Sequence, residues 1–355
     1  MKILLYGEAQ NFASGAWCYA ETLRDMGHSI VCFSDQEALG MYYSGVVWRA
    51  YRKFTGRLWA PHQRRHACAL MDLVRHENPE LIIVLKGLHL SRDDVLTLRQ
   101  TGAFVVNINH DDFFSGNPNN WSRLQRNAIC AYNYILTTRE VNVAEIRPLN
   151  PRVEFFQFAY YPRIHRPLHI PSPERTKWCV DVVFIGTWER TRAQLLEILA
   201  TRVEARYAIY GSQWQKLPNG HPLKKHVHLG EIVGDDLAKA IGGAKIALGF
   251  LRRENRDDYT QRTFEIPACN GVFLAERTTR HQSFYKEDVE AAFFDPGHPD
   301  ELCRKVRYLL DHEQEREDMR RAGHQALLRQ RHTYRDRMLR LLELFSLNRP
   351  SVKEA

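Results

Sequence analysis

The sequence predicts an α/β protein built as two doubly wound domains, and three observations support this. In each half, apolar runs of strand length alternate with helix-period segments, a pattern that requires a parallel sheet covered by helices on both faces. Between the halves, YPRIHRPLHIPSPERTK (161–177) carries Pro162, Pro167, Pro171 and Pro173 with no usable periodicity, so it reads as a linker. At 355 residues the chain also exceeds one typical domain and suits two. The expected division is 1–161, a linker over 162–177, a second domain over 178–332, and a C-terminal helix and tail over 333–355 that can cross back to the first domain.

The first half opens with the strand KILLY (2–6), a helix from about Gly15 to Met26 closed by Gly27, and the strand SIVCF (29–33). A long irregular region follows. Then come a helix around Arg64 to His76, the strand LIIVL (81–85), a helix opened by Ser91 with Asp94 three residues on, and the strand FVVNI (104–108). A polar loop, a helix near Trp121 to Ala131, YILTT (134–138), a short helix and VEFFQ (153–157) complete the half. The second half restarts with VDVVFIG (180–186), a helix from about Arg190 to Thr201, ARYAIYG (205–211), a helix near Asp235 to Ile241, and KIALGF (245–250). Helices are expected from about Asp300 to Leu310, Glu315 to Arg331 and Tyr334 to Phe345, with the last ten residues frayed.

Composition narrows the class. Apolar residues at 44% and charged residues at 26% are ordinary for a globular protein, and no apolar run approaches the roughly twenty residues that span a bilayer. Met1-Lys2 passes directly into ILLY without the length or cleavage site of a signal peptide, so a cytoplasmic location is expected, with peripheral contact at the inner membrane face left open. Seven cysteines without a C-x-x-C suggest reduced thiols, most of them buried. A net charge of +8 favours anionic partners, whether a nucleotide-sugar pyrophosphate, an acidic membrane surface or nucleic acid. His62 and His66 are four apart but lack the Glu of a zinc-protease helix, and His221, His226 and His228 form no better ligand set, so no metal site is expected.

The stretch from Arg252 to Gly271 carries the densest chemistry. It reads as a polar loop after a strand, a short helix from about Thr260 to Cys269 with Thr260 as cap and Gly271 as left-handed stop, then a strand from Val272 to Ala275. Glu265 lies near the middle of that helix, Asp257 in the loop before it, and Arg262 and Thr263 on its first turn. A carboxylate at such a junction can accept both hydroxyls of a ribose, and a guanidinium can bind phosphate oxygens in pairs. The plainer alternatives are a solvated helix glutamate and a capping aspartate. Gly186, Thr187 and Arg190 lie at and just after the strand end FIGTW, where the glycine permits close approach of a ligand and the helix N-terminus beyond favours negative charge. In the first half, Gly7 ends the first strand before the Ser14-Gly15 pair. His110, Asp111 and Asp112 follow the strand FVVNI at its carboxyl end, as proton relay or sugar-hydroxyl partners or merely as a capped turn. VVWRAYRKFTGRLWAPHQRRH (46–66) interleaves aromatics with cations, which suits a membrane interface, stacking on nucleobases, or an amphipathic helix packed by its aromatics.

RTFEIPACNGVFLAERT (262–278), FYKEDVEAAFFDPGHPDELCRKVRYLL (284–310) and HTYRDR (332–337) resemble group 1 glycosyltransferases, specifically the CgeB-like, spore-maturation branch. That resemblance implies a GT-B fold, two Rossmann-like domains facing each other across a cleft, with the acceptor on the first and the nucleotide donor on the second. It implies Glu265 as the ribose ligand and Asp257 against the transferred sugar or leaving phosphate, although many group 1 enzymes have Glu at that first position. It also implies transfer from a nucleotide diphosphate sugar, UDP-linked ahead of GDP- or dTDP-linked, with retention, without a metal, and without a cofactor beyond the donor. The acceptor is open: glycan, lipid, protein or nucleic acid. The rival readings are a nucleotide-sugar epimerase, a non-catalytic nucleotide-sugar binding protein, and a DNA-modifying glycosyltransferase.

Overall fold

The computed structural model describes residues 1–55, 60–117 and 120–348, and it divides into two compact units. Unit 1 comprises Met1–Phe158, Glu254–Arg256 and the C-terminal stretch from Tyr334; unit 2 comprises Ala159–Arg253 and Asp257–Thr333. Unit 2 therefore takes in the whole Pro-rich stretch, in which His165 is buried and Arg175–Trp178 is helical.

Unit 1 holds six parallel strands: β1 (Lys2–Tyr6), β2 (Ser29–Phe33), β3 (Leu81–Leu85), β4 (Phe104–Asn109), β5 (Tyr134–Thr137) and β6 (Val153–Phe155), in the order β2-β1-β3-β4-β5-β6. The four inner strands β1, β3, β4 and β5 are almost wholly buried, as expected of a sheet covered on both faces. Leu4, Ile82, Val84, Val105 and Ile135 form the centre of one core layer. Local signals act where they were expected. Ser14 accepts from the Trp17 N–H to open the helix Gly15–Asp25, Gly27 ends it at φ 84°, and Ser91 and Asp94 form a reciprocal capping box. The region expected to be irregular is instead largely helical, over Asp35–Leu39, Met41–Ser44 and Val46–Thr55, while the helix expected around Arg64 to His76 runs Ala60–Glu77. Ser34 starts the region by accepting from the Gln36 and Glu37 N–H groups; Gly40 and Gly45 then cut the run into pieces too short to show a period. The C-terminal helix Tyr334–Asn348 belongs to unit 1, where Arg340 pairs with Glu154 on β6 and Phe345 packs edge-on against Phe104. The frayed end was expected over the last ten residues; 346–348 continue the helix and the remainder lies outside the described residues.

Unit 2 repeats the architecture with β7 (Val182–Ile185), β8 (Tyr207–Gly211), β9 (Val227–Leu229), β10 (Ile246–Gly249), β11 (Phe273–Glu276) and β12 (Ala292–Phe294), ordered β12-β11-β10-β7-β8-β9 and again parallel. The edge strands β9 and β12 are three residues each, too short to register as periodic runs. Three of the seven cysteines, Cys18, Cys269 and Cys303, are buried, whereas Cys68 and Cys130 are exposed, against the expectation that most would be inside.

The helix after β10 runs Arg262–Ala268, with Pro267 inside it as the expected span already had it, and differs from its expected form in two ways. Thr260 does not cap it with its hydroxyl; the Thr260 N–H instead donates to Thr263 Oγ1. The left-handed residue at its end is Asn270, at φ 57°, while Gly271 is required because a Cβ there would meet Ile241 Cγ2 at 2.6 Å. Pro267 sits inside the helix and removes the N–H that would pair with the Thr263 carbonyl; the Tyr285 hydroxyl donates to that carbonyl in its place, at 2.9 Å.

The ends of β7 and β8 approach through glycine. Gly211 has φ 133°, and a Cβ on it would lie 2.2 Å from the Gly186 carbonyl oxygen. Gly211→Ala is expected to destabilise unit 2 by about 2 kcal/mol or more, through positive φ and a backbone clash together. Denaturant unfolding checks this, and an unchanged midpoint would contradict it.

Candidate active site

In open α/β sheets, ligands bind beyond the carboxyl ends of the strands where the strand order reverses. In unit 2 the chain passes from β7 to β8 on one side and returns to β10 on the other, so the reversal falls between β7 and β10. One buried guanidinium holds those two strand ends. Arg192 donates through Nη1 to the Thr187 carbonyl (3.2 Å), through Nη2 to the Phe250 carbonyl (2.8 Å) and through Nε to the Leu251 carbonyl (3.2 Å). The Leu251 N–H then donates to Glu276 Oε1 at the end of β11, and Arg253 pairs with the other oxygen at 2.9 Å. Burial pushes the Glu276 carboxyl above its ordinary range. Arg252 donates to Glu189 at the N-terminus of the helix Arg190–Arg202, so that anion-binding end already faces a carboxylate. A cleft of about 470 Å³ opens here, lined by Arg192, Leu195, Ile198, Arg253, Glu276 and Pro296 among others.

Glu265 reaches the same strand ends from the opposite helix. It is buried, at 2% exposure; one carboxylate oxygen lies 3.2 Å from His165 Nε2, and the other is paired with Arg262 Nη1. His165 Nδ1 accepts from the Tyr161 N–H at 2.9 Å, so its proton sits on Nε2 and is donated to Glu265. Burial, with the Arg262 charge second, pulls the His165 pKa down to about 3, so the imidazole is neutral. Arg262 Nε donates to the Ile185 carbonyl at 3.2 Å, tying this pair to the end of β7. Burial lowers the Arg262 pKa to about 10, which leaves it cationic at neutral pH.

The other expected donor-side residues separate. Thr263 is fully buried and its hydroxyl bonds to His281 Nε2 at 3.0 Å, while His281 Nδ1 donates to the Glu276 carbonyl; this is a closed internal network. Gly186 is needed for packing, since a Cβ there would meet Phe184 at 2.9 Å. Thr187 pairs with Ser212, and Arg190 is exposed. Asp257 is half-buried, its N–H donating to the Arg252 carbonyl, and its charge acts on Arg192.

In unit 1, adjacent residues commit to different partners. His110 Nε2 lies 2.9 Å from the Tyr19 hydroxyl, Asp111 pairs with Lys86 at 2.6 Å, and Asp112 is buried with Arg256 across its two oxygens at 2.5 and 2.7 Å. Asn142 and the Phe114 N–H also donate to Asp112, and with Arg256 they outweigh the burial that would raise its pKa. Burial pulls the His110 pKa down to about 4. Gly7 packs on Leu85, where a Cβ would lie at 3.1 Å. The strand order of this unit reverses between β1 and β3, and there the structure gathers residues that sequence reasoning passed over. Asp35 accepts from the Tyr6 hydroxyl at 2.5 Å and lies 2.7 Å from His66 Nε2, with His89 at 3.9 Å. His66 was weighed only as a zinc ligand, and its partner lies 31 residues away in sequence.

Residues 190–343 match the model of a family described as glycosyl transferase-like. No curated protein matches the chain. Among solved structures, sucrose-phosphate synthase from Thermosynechococcus elongatus is similar over 98% of both chains at 11% identity with a TM-score of 0.73. A glycosyltransferase from Rickettsia africae is similar over 100% of this chain and 99% of its own, at 12% identity and a TM-score of 0.66. The Anabaena protein HepE in complex with UDP and glucose is similar over 97% and 99%, at 11% identity and a TM-score of 0.65. The fold is GT-B, and the class that the fold and the matched stretch define is a glycosyltransferase enzyme.

The buried neutral histidines give the fold a pH dependence. His165, at about 3, and His281 and His110, at about 4, all lie below the ordinary 6.5. The unfolded chain therefore takes up protons first as pH falls, so this stability is whole above 6.5 and is lost progressively below it. Each histidine contributes a slope of up to about 1.4 kcal/mol per pH unit. The melting temperature should fall between about pH 6.5 and 5, above the carboxylate range, and less steeply in His281→Asn. A flat profile would refute the neutral-histidine account.

Proposed function

We propose that this glycosyltransferase moves a sugar from a nucleotide diphosphate donor held by unit 2, UDP-linked ahead of GDP- or dTDP-linked, to an acceptor taken by unit 1. The observation that carries the donor assignment is the arginine and carboxylate set at the unit 2 switch point, inside the stretch that matches the glycosyl transferase-like family. HepE structures with UDP or UDP-glucose bound support a UDP-linked donor. Glu265 would accept ribose hydroxyls at the narrow edge left open, because a carboxylate offers about four lone-pair sites and two are used here. Arg262 has spent two of its five N–H donors, on Ile185 and Glu265, and the remaining three would meet the departing diphosphate. Asp257 would face the transferred sugar. Guanidinium charge in this role would take the place of a metal ion, and retention of anomeric configuration is what the resemblance to group 1 glycosyltransferases implies. A neutral His110, oriented by Tyr19, suits a hydrogen bond to a sugar or acceptor hydroxyl better than proton storage.

Two experiments test this. Glu265→Ala should remain folded and lose at least about tenfold in UDP-sugar affinity, since a charged hydrogen bond contributes on the order of 1.5–3 kcal/mol. Thermal shift with UDP-, GDP- and dTDP-sugars reads it, and a folded variant with unchanged affinity would reduce Glu265 to a structural partner of Arg262 and His165. His110→Ala should lower turnover roughly a hundredfold while sparing donor affinity, with activity indifferent to EDTA. Full turnover in that variant removes His110 from the mechanism, and activity abolished by EDTA and restored by magnesium or manganese defeats metal independence.

A further inference from the structure

The helix Val46–Thr55 shows its apolar side to solvent. Phe54 is 86% exposed, Val46 73% and Val47 71%, with Tyr51 and the neighbouring Met41 also exposed. At about 100° per residue, positions 46, 47, 50, 51 and 54 share an arc of about 140°, and the exposed Arg49 falls outside it. Trp48 faces inward and packs edge-on against His62 at 4.5 Å, so the helix is pinned by one side with its apolar arc outward. The charge around it has one sign. Between Glu37 and Asp72 there is no acidic residue, and Arg49, Arg52, Lys53, Arg57, Arg64 and Arg65 all lie in that interval.

We propose that this helix is a docking surface for an anionic lipid bilayer, lying in the interface with Val46, Val47, Tyr51 and Phe54 below the headgroups and Arg49 at the level of the lipid phosphates. An interfacial helix needs an apolar face, a strongly cationic polar face and aromatic residues, and this segment supplies all three. Charge decides among occupants. A second copy seated on the same face would bring two like-charged segments together. A nucleic acid would need its stacking residues beside its phosphate-binding cations, whereas here Arg49 lies on a different arc from Tyr51 and Phe54 and two of the most exposed residues are valines. No described helix is long and apolar enough to cross a membrane, so the contact is peripheral.

Flotation of the full chain with extruded vesicles tests this, using phosphatidylcholine alone against a mixture with roughly one-third phosphatidylglycerol. The protein should float with the anionic vesicles only, and its partition should fall at least about tenfold in Val47→Glu/Phe54→Glu and about fivefold in Arg49→Glu. The replaced side chains are exposed, so melting temperature and donor-induced thermal shift should stay as in the parent. Single Val47→Glu and Phe54→Glu proteins serve if the double variant unfolds. Equal binding to neutral vesicles, no flotation, or variants that float like the parent would overturn the proposal. So would a parent dimer dissolved by Phe54→Glu, or salt-dependent duplex DNA binding lost in the same variants with no vesicle binding.

Discussion

Three carbonyl groups that end two different strands, Thr187, Phe250 and Leu251, converge on the guanidinium of Arg192. Strand ends in a doubly wound sheet leave carbonyls without ladder partners, and in a buried location each would cost on the order of 1–3 kcal/mol if unsatisfied. Arg192 satisfies all three and so ties together the loops that leave the paired strands β7 and β10 where the strand order reverses. The positions of Glu189, Arg252 and Glu276 follow from it, since each bonds to a loop that this guanidinium fixes.

Glu265 and Asp112 are both buried carboxylates answered by arginine, yet they serve different ends. Asp112 receives Arg256 through two nitrogens, Asn142, and a backbone N–H, and Arg256 spends four of its five donors on Asp112 and Glu145. With so many donors bound, that pair leaves little for a ligand, and its physical content is stability within unit 1: removing one partner of a buried pair typically costs 3–5 kcal/mol. Glu265 accepts one contact per oxygen, from a neutral imidazole and one guanidinium nitrogen. Using a neutral histidine as the second partner leaves the pair without net charge, which lowers the cost of burying it, and keeps part of each group's bonding capacity in reserve.

Most of the sheet was legible because its strands are continuous apolar runs and its helices carry local start and stop signals, as at Ser14, Gly27, Ser91 and Asp94. What escaped was set by tertiary context. The three-residue edge strands β9 and β12 exist because a neighbour supplies their ladder, and the helices over 35–55 are cut by glycines below the length at which a period shows. Pro267 removes one helix hydrogen bond, and the compensating hydroxyl of Tyr285 lies 22 residues along the chain from the Thr263 carbonyl, beyond any local pattern. The site follows the same rule. Glu265, Arg262 and His110 were nameable from their place after strands, but the partners that define their chemistry are His165, Ile185 and Tyr19, distant in sequence.

Arginine shows why residue type alone does not define a site. Arg190, Arg192, Arg252, Arg256 and Arg262 look alike in a sequence rich in cations, and the structure separates them by what their N–H groups already hold. Arg192 is sealed against carbonyls, Arg256 against two carboxylates, and Arg252 against Glu189. Arg262 alone among these combines a partly open side chain, an anchor to the end of β7 and three N–H groups with no partner among the described residues. A guanidinium fixed at one edge and open at the other loses little rotamer freedom when it binds an oxyanion, so its contacts cost less to form than those of a loose surface arginine. That preorganisation, more than position one turn before Glu265, is what supports the proposed contact between Arg262 and the leaving diphosphate.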